Sequence, residues 1–269
     1  MKVTNPGLSF GPAAHLYDAI RPSYPPDAVA WALAPVGPGR WRIADIGAGT
    51  GIMTRLLATA GHEVIAVEPD ALMRAQLVAT TTARPNAAIS GTAASSVTVV
   101  DGSAEALPFD HAALDGAVAA QAYHWFDRSR AHAELARVIR PGGVFAAVWN
   151  RRDDSVPWVA EYSRIVDGAK TDVAGRDRYA YTVETYGPEF GAVEQARFRH
   201  HTRHTPESLV RLMQSRSYYL RASATQQRDL VRAIVDLTRR HPDLAGRAEF
   251  DLPYETLVFR AVRVGGGED

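Results

Sequence analysis

The chain has 269 residues, of which 46% are hydrophobic and 22% are charged, the composition of an ordinary globular protein. Its 30 basic and 30 acidic residues balance, so no net field draws it to nucleic acid or to a membrane surface. The absence of cysteine excludes disulfides, thiolate metal sites and thiol nucleophiles. The sequence also shows no signal-peptide pattern and no apolar run of membrane-spanning length, which predicts a cytoplasmic protein without a membrane partner.

Strand and helix patterns alternate along the first 150 residues. Strand patterns are predicted at residues 41–47, 64–67, 97–100, 116–120 and 144–149. Helical patterns follow the first two strands, and another covers residues 128–140 before Pro141 and two glycines. This alternation predicts right-handed βαβ units and a parallel sheet.

The alternation ends after residue 150. Helices are predicted at 157–168 and 206–240, and strands at 192–203 and 255–263. These four segments do not repeat the βαβ spacing, so they indicate a different arrangement in the last part of the chain.

A glycine-rich segment, Asp45-Ile-Gly-Ala-Gly-Thr-Gly51, joins the first strand to the first helix. Glycines let the backbone approach a ligand closely, and the helix N-terminus offers free amide hydrogens. Glu68 ends the second strand, where a carboxylate can bind the ribose hydroxyls of either NAD or S-adenosylmethionine; the alternative is a solvated acid at a strand end. The dinucleotide pattern requires Gly or Ala at its sixth position, where this chain has Ile52.

Four motifs, taken together and in this order, resemble those of the class I methyltransferases. They are Asp45–Gly51, Glu68-Pro69, Gly102–Phe109 and Gln121–Phe126. More narrowly, the chain is similar to the methyltransferase type 11 group, including its trans-aconitate methyltransferase-like members.

The resemblance implies an α/β fold, with a Rossmann-like, seven-stranded, mostly parallel sheet of strand order 3-2-1-4-5-7-6. We interpret residues 1–269 as a single methyltransferase domain. Its parts are an N-terminal cap at 10–30, a cofactor-binding core at 41–150, a helical lid insertion at 206–240 and a last strand at 253–263. We expect the lid to lie over the carboxyl edge of the sheet, where α/β folds bind ligands.

The resemblance further implies that the cofactor is S-adenosyl-L-methionine and the product S-adenosyl-L-homocysteine. Asp45 would orient the loop or the cofactor amine, Glu68 would bind the ribose, and Gln121 would lie near the sulfonium. Ser103 stands where many relatives carry Asp, so its hydrogen bond to adenine would lack charge. The implied cofactor contacts are Asp45, Gly47, Ala48, Gly49, Gly51, Glu68, Pro69, Ser103, Ala104 and Gln121.

Methyl transfer is an in-line displacement, so the enzyme mainly aligns the reacting atoms. A general base is needed only for an unionised hydroxyl, an ammonium or a carbon acid; a carboxylate acceptor needs none. His124, just after the fourth strand, is the candidate base, and the alternative is a structural imidazole bonded to the backbone.

Candidates for the acceptor pocket come from the N-terminal cap, the fourth-strand motif and the lid. Arg21 either pairs with a carboxylate or packs on a proline turn. The candidates are Tyr17, Arg21, Tyr24, Tyr123, Trp125, Arg216 and Tyr218. We predict no metal, because His200, His201 and His204 have no acidic or thiolate partner at a suitable spacing and are interpreted as solvent-facing.

The sequence therefore predicts an S-adenosylmethionine-dependent methyltransferase that acts on a small molecule through an O, N or carboxyl acceptor. One alternative is a protein that binds S-adenosylmethionine but catalyses another reaction. The other is an NAD-dependent oxidoreductase, which Ile52 and the lack of a Tyr-x-x-x-Lys pair disfavour. Nucleic acid is not expected as a partner, because the chain is neutral and Gln121 replaces the start of the Asn/Asp-Pro-Pro-aromatic motif. We expect a monomer or a homodimer.

Overall fold

The structure is a computed structural model that describes residues 20–82, 96–168 and 181–265. These ranges contain eight α-helices: α1 Pro26–Leu33, α2 Ile52–Thr59, α3 Ala71–Thr82, α4 Arg128–Val138, α5 Pro157–Gly168, α6 Pro206–Gln214, α7 Ser217–Arg221 and α8 Ala224–Arg240. They also contain seven strands: β1 Arg42–Ile46, β2 Glu63–Val67, β3 Val97–Val100, β4 Leu114–Ala120, β5 Ile139–Arg152, β6 Glu194–His204 and β7 Phe250–Val262. The prediction for Tyr17 and for residues 10–19 of the cap lies outside the described residues.

The seven strands form one sheet of order β3-β2-β1-β4-β5-β7-β6, which confirms the predicted order. Strands β1 to β5 are parallel to one another, whereas β7 is antiparallel to both β5 and β6. The carboxyl ends of β1, β2 and β4 therefore meet at one edge of the sheet, and the segments that follow these strands lie there together.

The sheet is covered on both faces, which explains why its central strands are almost continuously apolar. On one face, Ile43 of β1 belongs to a buried cluster with Leu57 of α2 and Val29 of α1. On the other face, Ile46 belongs to a cluster with Leu135 of α4. Because β1 is held from both sides, the loop that leaves it starts from a fixed position.

A third buried cluster joins the late helices to the start of β7. It includes Tyr162 of α5, Leu212 of α6, Ile234 of α8 and Leu252 of β7. Because β7 is antiparallel to β5, its first residues lie where β5 ends, at the carboxyl edge of the parallel strands. The helices of residues 206–240 therefore pack at that edge.

Several predicted boundaries differ from the observed ones because long-range pairing extends the strands. The helix predicted over 128–140 ends at Val138, and Ile139 already pairs with Leu114 of β4. Strand β7 begins at Phe250, since its first residues pair with the end of β6. No helix in the described parts of the chain is long and apolar enough to cross a membrane.

Candidate active site at the carboxyl edge of the sheet

The glycines after β1 have different roles, although all three have positive φ angles, which L side chains rarely adopt. A Cβ on Gly47 would lie 2.6 Å from the Cβ of Ala122, and a Cβ on Gly51 would lie 2.9 Å from the Cγ of Leu77. A Cβ on Gly49 would meet nothing within 4 Å. Gly47 and Gly51 are therefore needed for close packing, whereas Gly49 borders open space.

That open space is a cleft of about 1030 Å³, a volume that includes its mouth to solvent. The cleft brings together nine of the ten predicted cofactor contacts; Gly51 does not line it and instead allows α2 to approach α3. The nine are Asp45, Gly47, Ala48, Gly49, Glu68, Pro69, Ser103, Ala104 and Gln121.

Asp45 is a buried acid that lines the cleft, with 1% of its surface exposed. Its Oδ2 accepts a hydrogen bond of 2.6 Å from the hydroxyl of Thr54, and its Oδ1 has no partner among the described residues. Burial raises the pKa of Asp45 to about 7; the Thr54 hydrogen bond opposes this shift, and the charge of Glu68 adds to it. A buried carboxylate with an unused oxygen suits a cationic group such as an ammonium.

Glu68 is also buried, which argues against a solvated acid at a strand end. Its Oε2 accepts from the amide of Gly49 at 2.8 Å, and its Oε1 accepts from the amide of Asp70 at 2.9 Å. Burial raises the pKa of Glu68, and these two amide donors oppose the shift. Each carboxylate oxygen has a further lone pair, so the group can accept from hydroxyl donors in the cleft without releasing the loop.

The cleft has further walls that the sequence analysis did not assign to it. Phe126 and Glu105 belong to motifs already noted, so motif membership was a usable signal for them. Met73 faces the cleft from α3, and only its buried position on that helix reveals it. The unassigned lining residues are Thr50, Ile52, Met53, Met73, Glu105, Ala120, Ala122 and Phe126.

Gln121 directly follows β4 in a left-handed conformation with a φ of 57°, which is unusual for a residue with a side chain. Its amide donates to the carbonyl of Val148 at 2.8 Å, and its Nε2 donates to the carbonyl of Asn150 at 3.1 Å. Strained residues of this kind persist where neighbouring contacts fix them, and they are frequent at active sites. Trp125 and the buried Tyr24 line the same cleft.

His124 does not line the cleft, and its geometry does not support the predicted role of general base. Its Nδ1 accepts a hydrogen bond of 3.3 Å from the indole Nε1–H of Trp149, and its ring packs on Trp125. An imidazole that accepts at Nδ1 carries its proton at Nε2, so neither nitrogen offers an available lone pair. His124 therefore fits the alternative interpretation, a structural imidazole, although its hydrogen bond comes from the Trp149 side chain and not from the backbone.

Tyr123 lies in the core and not in an acceptor pocket. Only 1% of its surface is exposed, and its hydroxyl is 2.8 Å from the Nε2 of His132. Its ring contacts Phe145, Trp149 and Tyr186. Burial raises the pKa of Tyr123 to about 12, so this phenol stays protonated. Tyr123 does not line the cleft, and its burial gives no support to the predicted contact with substrate.

Arg21, Arg216 and Tyr218 lie beside the cleft and do not line it. The Nη2 of Arg21 donates to the carbonyl of Ser215 at 3.2 Å, which ties the N-terminal segment to the turn after α6. A second tie comes from Asn150, whose Nδ2 donates to the carbonyl of Ser23 at 2.9 Å. These two contacts hold the N-terminal segment in the position from which Tyr24 reaches the cleft.

The three predicted solvent-facing histidines of β6 differ in their surroundings. His201 is exposed, as expected. His200 is half-buried, stacks on Tyr254 and contacts Asn150, and His204 is buried against the hydroxyl of Ser208. The prediction is therefore wrong for His200 and His204, because side chains alternate between the two faces of a strand.

Comparison with known proteins gives the same assignment as the fold and the cleft. A family described as a methyltransferase domain matches residues 44–147. An uncharacterized methyltransferase of Mycobacterium tuberculosis is 36% identical over 255 residues, covering 94% of this chain and 95% of that protein. An uncharacterized methyltransferase-like protein of Schizosaccharomyces pombe is 28% identical over 249 residues, covering 90% and 91% of the two chains.

Solved structures agree with this comparison. A candidate type II methyltransferase from Anaeromyxobacter dehalogenans is 25% identical, with a TM-score of 0.60 and coverage of 90% of this chain and 97% of that chain. The sheet order, the glycine-rich loop and these relatives define an α/β transferase. The chain belongs to the class I S-adenosylmethionine-dependent methyltransferases. The narrower similarity to trans-aconitate methyltransferases stays a prediction.

Proposed function

We propose that this methyltransferase methylates a small molecule, with S-adenosylmethionine bound in the cleft described above. The observation that carries the proposal is the pair of buried acids, Asp45 and Glu68, which both line the cleft that Gly49 borders. S-adenosylmethionine is a nucleoside joined to an amino acid. Its ribose hydroxyls and its ammonium group are donors at two separate points, and each requires an acceptor of this kind.

The side chains of the cleft fit the two ends of this cofactor. The unused Oδ1 of Asp45 suits its ammonium group, and the Glu68 carboxylate suits its ribose hydroxyls. Pro69, Met73 and Ala104 supply an apolar wall for the adenine. When bound, S-adenosylmethionine supplies a methyl group that is already activated by a positively charged sulfur.

The acceptor would enter beside Tyr24, Gln121 and Trp125, which also line the cleft. Gln121 is held rigidly by its backbone and its side chain, so it can fix the position of a neighbouring group. Alignment of this kind supplies much of the acceleration in a displacement reaction. None of the described residues that line the cleft is a histidine, so this proposal includes no imidazole base.

The N-terminal segment supports a small acceptor over a polymer. Its ties to Asn150 and Ser215 hold Tyr24 at the cleft, which narrows the approach to the reacting atoms. The balanced net charge also gives no attraction to nucleic acid.

The proposal is tested by two measurements on the full chain. Calorimetry should show binding of S-adenosylhomocysteine and no comparable binding of NAD. Labelled S-adenosylmethionine should then be incubated with a cell extract that has been divided by filtration into small molecules and macromolecules. We expect label in the small-molecule fraction. Label confined to macromolecules, or label in neither fraction despite cofactor binding, would contradict the proposal.

A further inference from the structure

Three arginines and three tyrosines meet beside the cleft, at the same edge of the sheet. We refer to them as the arginine–tyrosine cluster. The charges of its three arginines all act on the phenols of Tyr218 and Tyr254 and lower their pKa, although burial has the larger effect and raises it. Its members are Arg21, Arg152, Arg216, Tyr162, Tyr218 and Tyr254.

The cluster is assembled by segments that are distant in the sequence. Arg152 is the last residue of β5, and Tyr254 of β7 stands opposite it in the antiparallel ladder. Arg216 lies in the turn between α6 and α7, and Tyr218 is in the first turn of α7. Because strands, late helices and the N-terminal segment all contribute, the cluster lies between the sheet and the helical insertion.

The contacts of Arg152 hold its guanidinium in place. Its Nε donates to the hydroxyl of Ser163 at 2.7 Å, and its Nη2 lies 3.4 Å from Asp167. Its charge also lies over the ring of Tyr162, 5.3 Å from the centroid. The charge of Asp167 acts on the phenol of Tyr218 in the opposite direction to the charges of the three arginines. Three guanidinium groups and one carboxylate therefore act on the same phenol.

The hydroxyl of Tyr254 is the second observation. Only 2% of this residue is exposed, and its hydroxyl has no hydrogen-bond partner in the part of the chain that the structure describes. A buried hydroxyl without a partner is destabilising, so such groups are rare and need a reason. A negatively charged oxygen bound in the cluster would accept from this hydroxyl.

We propose that the arginine–tyrosine cluster binds a carboxylate or phosphate group of the methyl acceptor, an inference that rests on the proposed function. Guanidinium groups bind either anion through paired N–H donors, and tyrosine hydroxyls add further donors. Burial keeps the pKa of Tyr218 and Tyr254 above the ordinary value, so both phenols remain donors at neutral pH.

The position of the cluster also limits the length of the acceptor. Gln121 lines the cleft and is bonded to the carbonyl of Asn150, two residues before Arg152 along β5. Two strand residues span about 7 Å. Arg21 precedes the cleft residue Tyr24 by three residues, at most about 10 Å of extended chain. The acceptor is therefore a small acid or phosphate ester whose anionic group lies several bonds from the methylated atom.

Anion titrations of the full chain test this inference. Binding of S-adenosylhomocysteine is measured first, and succinate and inorganic phosphate are then titrated into that complex by calorimetry. We expect one or both anions to bind, and the stronger of the two identifies the chemical group. Arg216→Gln should weaken that binding at least tenfold, by about 1.4 kcal/mol or more. Arg211→Gln, an exposed arginine of the neighbouring α6, should leave it unchanged.

Tyr254→Phe provides a test that does not depend on removing a charge. It should weaken anion binding severalfold without lowering the unfolding temperature, because the hydroxyl has no partner to lose. A lower unfolding temperature with unchanged anion binding would contradict the inference. So would a complex with S-adenosylhomocysteine that binds neither anion, or binding that Arg216→Gln leaves intact. Failure to bind S-adenosylhomocysteine at all would contradict the proposed function instead.

Discussion

Replacing Gly49 by Val separates what the loop does for folding from what it does for binding. An added Cβ meets nothing within 4 Å, so the fold bears only the cost of a left-handed backbone, about 1–2 kcal/mol. The same side chain would enter the cleft that both buried acids line. We expect the affinity for S-adenosylhomocysteine to fall at least about a hundredfold, which corresponds to about 2.8 kcal/mol.

Gly61 provides the matched control. It has a φ of 96°, its added Cβ also meets nothing within 4 Å, and it follows α2 outside the cleft. Gly61→Val should therefore lower the free energy of unfolding by a similar amount and leave the affinity unchanged. Urea denaturation and calorimetry of both variants make the comparison. Wild-type affinity in Gly49→Val, or an equal loss of affinity in both variants, would refute the reasoning.

Three further predictions concern the polar groups of the site. Glu68→Ala should weaken S-adenosylhomocysteine binding by about 1.5–3 kcal/mol in calorimetry, the scale of hydrogen bonds to a charged group; an immeasurably small loss would mean that the ribose lies elsewhere. Asn150→Asp should keep the oxygen that accepts from Thr256 but replace the amide donor to the Ser23 carbonyl with a second oxygen, which repels that carbonyl. The N-terminal segment should then be held less firmly, and proteolysis near residue 20 should accelerate. Unchanged cleavage would show that other contacts hold this segment. Burial raises the pKa of Asp45 to about 7, above an unfolded value of about 3.9. Between about pH 3.9 and pH 7, the Asp45 carboxyl therefore keeps its proton in the folded chain and loses it in the unfolded chain. The contribution of this carboxyl to stability therefore falls as the pH rises through that window and then levels off. Asp45→Asn should flatten this part of the pH profile in urea denaturation, and identical slopes would disprove the shift.

The strands of the first 150 residues could be predicted because their signals are local, whereas the sheet order came from the resemblance of the four motifs to a known class. The apolar run Val64–Val67 of β2 indicates a buried parallel strand without any knowledge of its partners. The boundaries at Ile139 and Phe250 could not be predicted, since they depend on pairing with β4 and β6. Pro253 lies within β7 and pairs with His201 of β6. It lies one residue beyond Tyr254, which pairs with the last residue of β5.

The site shows the same division between local and long-range information. The glycines and Glu68 are recognisable because they follow strands directly. The surroundings of Tyr123 and His124 are not, since their partners include Trp149 on β5 and His132 on α4. A motif gives the order of these residues along the chain, but the aromatic core determines which of them face the cleft.

The position of β7 has a consequence for the order of events during synthesis. This strand is made after all the others and yet lies inside the sheet, between β5 and β6. Until residues 250–262 leave the ribosome, the apolar strand β5 has an unpaired edge, and β6 has no partner in the sheet. Open edges of this kind pair readily with other chains, and sheets closed by distant segments fold slowly. We therefore expect the nascent protein to be most prone to aggregation before β7 emerges.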